Sequence, residues 1–394
     1  MKAKPELLAP AGTPEKLRTA ILYGADAVFA GGKEFSLRSA ASNFSMDDIR
    51  ESCAFAKAHG ADVHITCNII PHQNNLVGLS DYLKALDGAG VKAVIVADPG
   101  IMQEVKRLNL NLEVHVSTQM SVTNSAAVKY FENLGMDRVV LGRETSFEDL
   151  KTIRRKCPDI ALEYFVHGAM CIARSGRCML SNWYSGRDAN RGGCSQSCRW
   201  AYDIEDGGDI PFSMGSKDMC LIRHIPELID LGVDSFKIEG RMKSIHYIAT
   251  VVSTYRKLID AYCEGRPYDL DWCEAELWKA ANRAFCEGFY HGHVSAKDQL
   301  FNLRDEHPTQ EFVLRVTDYD KDTETMICEE RNYFKVGDKV EIFSPVRENQ
   351  SFVVEDMETL DGEKREVANH PLELLRVKVP FEVSENDMGR REKP

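Results

Sequence analysis

No apolar run in the 394-residue chain approaches the roughly 20 residues that a membrane-spanning helix needs. Lys2 and Lys4 precede only LLAPAG, too short for the hydrophobic region of a signal peptide, so a cytoplasmic protein with no membrane association is expected. Excess positive charge is missing too. Against 61 Asp and Glu stand 49 Lys and Arg, a net charge of −12. That excludes a protein that coats nucleic acid indiscriminately, while leaving room for a local basic site. Hydrolytic signatures are absent as well. HExxH and GxSxG do not occur, and no papain-like pattern surrounds any cysteine. His291 and His293 form an HxH on an expected loop, a pattern that can bind metal but is more often incidental.

What is present is a regular alternation of short apolar strands and amphipathic helices over the first 240 residues. The strand candidates are PELLAP, DAVFAG, DVHITCN, AVIVAD, LEVHVST, RVVLGR, ALEYFVHG and DSFKIEGR. Helical patterns lie between most of them, and several end at glycines suited to C-caps: Gly24, Gly60, Gly90 and Gly135. Strand–helix alternation implies parallel βαβ units. A doubly wound dinucleotide fold is disfavoured, because PAGTPEKL supplies one glycine where the phosphate fingerprint needs three. The expected architecture is therefore α/β, a (β/α)8 TIM-like barrel over residues 1–300 with trailing helices. SIHYIATVVSTYRKLIDAYCEG is the first of these, and CEAELWKAANRAFCEG is expected as a second, ending near Gly288. From Glu311 short strands separated by charged or Gly/Asp turns predict a small antiparallel β-barrel over 308–384. The polar segment 385–394 reads as a disordered tail.

Cysteine is not scarce, but its distribution is uneven. Seven of the twelve (Cys53, Cys67, Cys157, Cys263, Cys273, Cys286, Cys328) are scattered and read as small buried hydrophobes. The other five, Cys171, Cys178, Cys194, Cys198 and Cys220, crowd into residues 171–220, an insertion after the seventh strand. Disulfides are not expected in a reducing compartment. The spacings C-x6-C, C-x15-C, C-x3-C and C-x21-C contain no C-x2-C knuckle, so neither a zinc ribbon nor a bacterial ferredoxin is indicated. Four thiolates complete the shell of a [4Fe–4S] cluster or of a structural zinc, and spacing does not choose between them.

Polar residues recur at the C-terminal ends of the expected strands: Asn68, Asp98, Ser117, Gln119, Arg143, Glu144, His167, Glu239 and Arg241. A barrel gathers such residues around one mouth, where its active site sits. His167 is the candidate proton donor, with Arg143, Glu239 and Arg241 beside it as catalytic candidates. Arg143, Arg241 and Lys217 could hold a carboxylate or phosphate. Arg174, Arg177, Arg187, Arg191 and Arg199 share the cysteine segment with Trp183, Tyr184, Trp200 and Tyr202. Arginine for phosphate and aromatic rings for stacking suit single-stranded RNA. Surface arginines among core aromatics are an equally good reading of the same residues.

Residues Glu163 to Ser181, E-x-F-x2-G-A-M-C-x6-C-x2-S with Gly176 before Arg177 and Cys178, resemble the signature of peptidase family U32, the collagenase-like proteins. PELLAPAGTPEKL, YGADAVFAGG, NRGGC-x3-CRW, SKDMC and FKIEGRMKS extend the likeness over about residues 5–300, and KVGDKVEIFSP is similar to the family's small C-terminal barrel. The resemblance is nearest to the branch that hydroxylates tRNA at the wobble uridine, giving 5-hydroxyuridine with prephenate as a requirement. Other branches hydroxylate a ribosomal RNA cytidine or ubiquinone precursors, and the peptidase label is the older one. The resemblance implies a [4Fe–4S] cluster on Cys171, Cys178 and Cys194, with Cys220 as the preferred fourth ligand and Cys198 the second candidate. It also implies tRNA and a small carboxylate such as prephenate as partners. Substrate contacts are expected from Asn68, Gln119, Arg174, Arg177 and Lys217. A paired family member or a second copy of the chain is a further implied partner.

Overall fold

The computed structural model describes residues 3–36, 43–203, 212–300 and 308–393. Eight parallel strands, β1 (Glu6–Pro10), β2 (Ala27–Gly31), β3 (Asp62–Cys67), β4 (Ala93–Val96), β5 (Glu113–Val116), β6 (Arg138–Val140), β7 (Ala161–Ala169) and β8 (Ser235–Ile238), pair in sequence order. β8 pairs with both β1 and β7, so the sheet closes into a barrel. All eight strands fall where the apolar runs predicted them. Parallel pairing buries both faces, which is why these runs are near-continuously apolar.

The barrel helices are α1 (Pro14–Leu22), α2 (Met46–Ala58), α3 (Leu79–Gly88), α4 (Pro99–Leu108), α5 (Ser125–Asn133) and α6 (Phe147–Lys156). Their starts are chemically marked. Thr13, Ser45, Asp98, Asn124 and Ser146 each accept a hydrogen bond from a first-turn N–H. Gly24, Gly60, Gly90 and Gly135 follow helix ends with positive φ. After β7 come α7 (Leu180–Ser185) within the cysteine segment, then α8 (Ile225–Leu231), α9 (Ile245–Glu264) and α10 (Leu270–Trp278). No described helix is long and apolar enough to cross a membrane.

The floor of the barrel is charged rather than aliphatic. Lys237 Nζ donates to Glu163 Oε1 at 2.6 Å, and Arg138 bridges Glu163 Oε2 at 3.1 Å and Glu6 Oε1 at 2.5 Å. Burial pushes the Glu163 carboxyl up, but Lys237 and Arg138 outweigh it and hold the group at about 2. Glu163, which opens the signature stretch, is thus a buried structural anion that ties three strands together.

Two expectations need correction. The helix expected to run to Gly288 stops at Trp278, and Phe285–Cys286 instead pairs in parallel with Asp218–Met219. A tertiary partner, the short strand Asp218–Cys220 that lies antiparallel on β7, overrides the local helical pattern there. The expected disordered tail is also ordered. β15 (Met388–Glu392) lies inside the C-terminal sheet, between β9 (Gln310–Asp320) and β11 (Lys339–Phe343). Its Arg390 is fully buried, donating to Glu276 Oε2 at 2.5 Å and Glu341 Oε2 at 2.7 Å. Burying that ion pair explains how so polar a segment becomes a central strand.

The sheet is completed by β10 (Thr325–Glu330), β12 (Gln350–Val353), β13 (Met357–Thr359), β14 (Leu374–Lys378) and the two-residue strand Lys364–Arg365. Its order is β12-β11-β15-β9-β10-β14-β13 followed by Lys364–Arg365, an antiparallel half-barrel. Phe343 and Met388 join the barrel's own apolar core, and Tyr23 Oη donates to the Asn386 carbonyl at 2.8 Å. The half-barrel is therefore docked on α1, α9 and α10.

Candidate functional site at the barrel mouth

β7 delivers the chain straight into the cysteine segment, and the ends of β3 and β6 hold that segment in place. Glu144, just after β6, accepts the Ser175 N–H at 2.7 Å and the Ser175 hydroxyl at 3.0 Å. Ser175 sits in the left-handed region at φ 50°. Asn190 bonds both backbone groups of Cys178, accepting from its N–H at 3.3 Å and donating to its carbonyl at 3.1 Å. The Asn190 carbonyl accepts from Ile70, and Arg191 donates to Asn75 at 3.0 Å, both in the loop after β3. Ser181 Oγ accepts the Ser195 N–H at 3.1 Å, fixing the turn between Cys194 and Cys198.

No described cysteine is disulfide-bonded. Cys171 and Cys194 are exposed, Cys178 and Cys198 partly buried. Burial raises the Cys171 thiol; the Ala173 N–H and the Arg143 guanidinium oppose that, while Cys178 and Cys194 add to it. Cys198 is likewise raised by burial and countered by Arg199, and it feels Cys171, Cys194 and Cys178. These four thiols thus share one electrostatic neighbourhood. Cys220 faces another. Its thiol is 4.0 Å from Tyr255 Oη, burial pushes it up to about 12, and its strongest charged neighbours are Glu274 and Glu287. Six of the seven scattered cysteines are buried and Cys286 is partly so, in keeping with a packing role.

The donor set, four thiols on one segment, suits a thiolate-bound metal centre. Four thiolates on one zinc at ~2.3 Å stand ~3.8 Å apart. Among the described residues no three thiols come within 4.8 Å of one another, while Cys171 lies in the field of Cys178 and Cys194 and Cys198 in the field of all three. A cluster with an iron for each thiolate would accept wider spacing, and Arg143 and Arg199 would offset its negative charge.

Beside the thiols lies the polar rim. Arg143 donates to Glu239 Oε2 at 3.1 Å and its guanidinium lies 3.6 Å over the Phe165 ring. Arg241 is buried and bonded to Asn43, with room made for it by Gly31. A Cβ on Gly31 would stand 2.6 Å from both terminal guanidinium nitrogens. Glycine matters between strands too: at Gly168, φ 111°, a Cβ would meet the Glu239 carbonyl at 2.3 Å. Gln119 is buried, its Oε1 accepts from Ser117 Oγ at 3.3 Å, and its Nε2 has no hydrogen-bond partner among the described residues. Asn68 is half-buried at the end of β3, while Arg174 and Arg177 are exposed on the cysteine segment. Lys217 is half-buried, its N–H on the Asp298 carbonyl at 3.0 Å.

His167 does not match the acid role expected of it. Its ring is enclosed by Tyr247, Tyr255 and Phe285, and burial pushes its pKa down to about 3. It is a neutral imidazole within hydrogen-bond reach of Tyr255 Oη at 3.3 Å, and its carbonyl accepts the Glu239 N–H at 2.8 Å. Its observed partners are structural ones.

A second cationic group went unread in the sequence. Asp218 is buried under Arg283 at 2.9 Å and Lys243 at 3.7 Å. Burial lowers Arg199, with Arg283 next, and Cys198, Asp218 and Cys171 pull it back up. Three cations thus surround one carboxylate next to the thiols. The available signal was SKDMC and FKIEGRMKS taken together, since only the fold brings Asp218 to Lys243. The exposed rings of Trp183, Tyr184 and Trp200 lie on the same segment, Tyr184 and Trp200 6.1 Å apart, so they are surface and not core.

Residues 12–300 match the model of peptidase family U32, and residues 308–390 match the peptidase family U32 C-terminal domain. The chain is 48% identical to tRNA hydroxylation protein P1 of Bacillus subtilis, covering 99% of this chain and 95% of that one. It is 34% identical to tRNA hydroxylation protein P of Escherichia coli, covering 93% and 91%. Similarity to the 23S rRNA 5-hydroxycytidine C2501 synthase of Escherichia coli is 39% over 66% of this chain and 40% of the relative. With both of its domains matched in order, the chain belongs to peptidase family U32.

Proposed function

We propose that this chain is a tRNA hydroxylase that converts a wobble uridine to 5-hydroxyuridine, dependent on a [4Fe–4S] cluster held by Cys171, Cys178, Cys194 and Cys198. The observation that carries the reading is the gathering of four thiols, Cys198 in the field of Cys171, Cys178 and Cys194, against the cationic barrel mouth. The names of the relatives supply the substrate class. When bound, the cluster would supply redox or Lewis-acid chemistry at the mouth.

The protein's own residues have separable tasks. Trp183, Tyr184 and Trp200, exposed beside Arg174, Arg177 and Arg187, offer stacking faces and phosphate partners for an unstacked loop. A base that must react at a ring carbon has to leave its stack, which is cheapest in a single-stranded loop such as the anticodon. The unpartnered Gln119 amide, buried at the rim, is suited to donate to a carbonyl of the entering base. Arg143 and Arg241 suit a small carboxylate such as prephenate.

The test is nucleoside analysis of tRNA from cells that carry Cys171→Ser as their only copy, with iron measured on the anaerobically purified protein. The expected outcome is joint loss of iron and of 5-hydroxyuridine. Unchanged hydroxyuridine in that strain sinks the reading.

A further inference from the structure

Away from the thiols, where the starts of α6 and α8 meet, three metal-ligating side chains converge. His224 Nε2 is 2.8 Å from Glu287 Oε1, and His291 Nε2 is 2.9 Å from Glu287 Oε2. The three donor atoms lie within 4.8 Å of one another. The HxH of the sequence is not the pair involved, since His291 meets His224, 67 positions away in the chain, and not His293.

Three further features fit a cation. First, the other nitrogen of His224, Nδ1, is 2.5 Å from Glu227 Oε1. A ligating histidine ordinarily donates its remaining N–H to such a carboxylate, which fixes the ring and raises its basicity. Second, the ring cannot swing away. It is stacked on Tyr290 at 4.2 Å, and Tyr290 is itself buried, stacked on Phe147 and bonded through its carbonyl to the Phe147 N–H at 2.9 Å. Third, among the described residues neither Glu227 nor Glu287 pairs with a lysine or arginine. The histidines are thus the partners of the Glu287 carboxylate in the described residues.

We propose that His224, Glu287 and His291 bind a divalent transition-metal ion of the zinc class, with Glu227 as the outer carboxylate. Two imidazoles and one carboxylate suit zinc, nickel or ferrous iron and are a poor site for magnesium or calcium. Three protein donors leave positions for water or an exogenous ligand. The ion would tie the first turn of α8 to the 287–291 turn, which directly follows the Phe285 that packs on His167. The soft thiols and this harder site divide two metals between two places in one chain. The proposal stands apart from the hydroxylase reading, since neither needs the other.

The experiment uses the full chain, purified anaerobically with its iron content measured, and titrated with zinc chloride by calorimetry. One zinc per chain in addition to iron is expected. His291→Ala, at an exposed position where folding is not at stake, is expected to abolish that binding with iron unchanged. Glu227→Gln is expected to weaken it ~10–100-fold. Comparing parent and His291→Ala at equal iron content keeps the thiols alike in both, so the difference in zinc belongs to this site. Equal zinc binding by the parent and His291→Ala, or no zinc bound by the parent, overturns the proposal.

Discussion

Cys198 and Cys220 differ in what surrounds their sulfurs, and no spacing rule in the chain separates them. Cys198 is flanked by Arg199 and lies in the field of Cys171, Cys178 and Cys194. Cys220 is packed by Tyr255 under β7, its thiol pushed up to about 12. A ligand must give up its proton to bind metal, so a thiol stabilised in its neutral form is the costlier choice. Cys198→Ser is therefore expected to remove most of the iron from anaerobically purified protein, while Cys220→Ser leaves it near parent level. Iron and sulfide analysis of the two variants reads this directly, and iron lost from Cys220→Ser alone restores the ligand set first expected. The candidate site was legible to this depth: cysteine crowding, the arginines and the strand-end polar residues all stood in the sequence. Missing were the facts that depend on burial. His167 looks like an acid on paper and is a neutral, enclosed ring in the fold. Asp218 looked like nothing, and gathers Arg283 and Lys243.

At the scale of elements, the barrel strands were legible because parallel strands are apolar on both faces and their helices carry caps at both ends. β15 was not, because MGRRE has neither an apolar run nor alternation. Its place is fixed by Arg390, whose partners Glu276 and Glu341 lie 114 and 49 positions away in the chain. Glu276 is on α10 and Glu341 on β11, so one guanidinium joins barrel, half-barrel and tail. Burial pushes Glu276 up, and Arg390 with Lys279 outweighs it. Removing one partner of a buried pair leaves uncompensated charge and costs ~3–5 kcal/mol. Arg390→Ala is expected to lose about that much in denaturant unfolding, and deletion of residues 386–394 to lose more, since it also removes the central strand. Arg390→Ala unfolding at the parent midpoint would show that the tail is not integral. The same dependence on distant partners explains why the helix expected to reach Gly288 breaks at Trp278, where pairing with Asp218–Met219 takes over.

For the whole molecule, buried neutral histidines set the response to acid. His64, His167 and His246 are each held at about 3, with burial as the leading cause. His64 is lowered further by His115, and His246 by Arg390. In the unfolded chain each would titrate near 6.5. Between those values the unfolded state binds protons that the native state refuses. Stability is thus fully present above about pH 6.5 and falls as the pH drops toward 3. At pH ~4.5 each histidine withdraws ~2–3 kcal/mol, so three together rival the ~5–15 kcal/mol that a folded domain has in total. The depressed carboxylates act lower down. Glu113 and Glu163, both held at about 2, contribute above their ordinary values near 4.5 and lose that contribution only as the pH falls from there toward 2. The two sets therefore separate in pH. Denaturant midpoints taken from about pH 7.5 to 4.5 are expected to fall with a slope approaching three protons per chain. His246→Phe, which keeps an aromatic ring against Phe312, is expected to shallow that slope by about one proton. Anaerobic samples at matched iron content keep cluster loss out of the comparison. A midpoint that stays level down to about pH 5 would mean that these rings take up protons inside the fold.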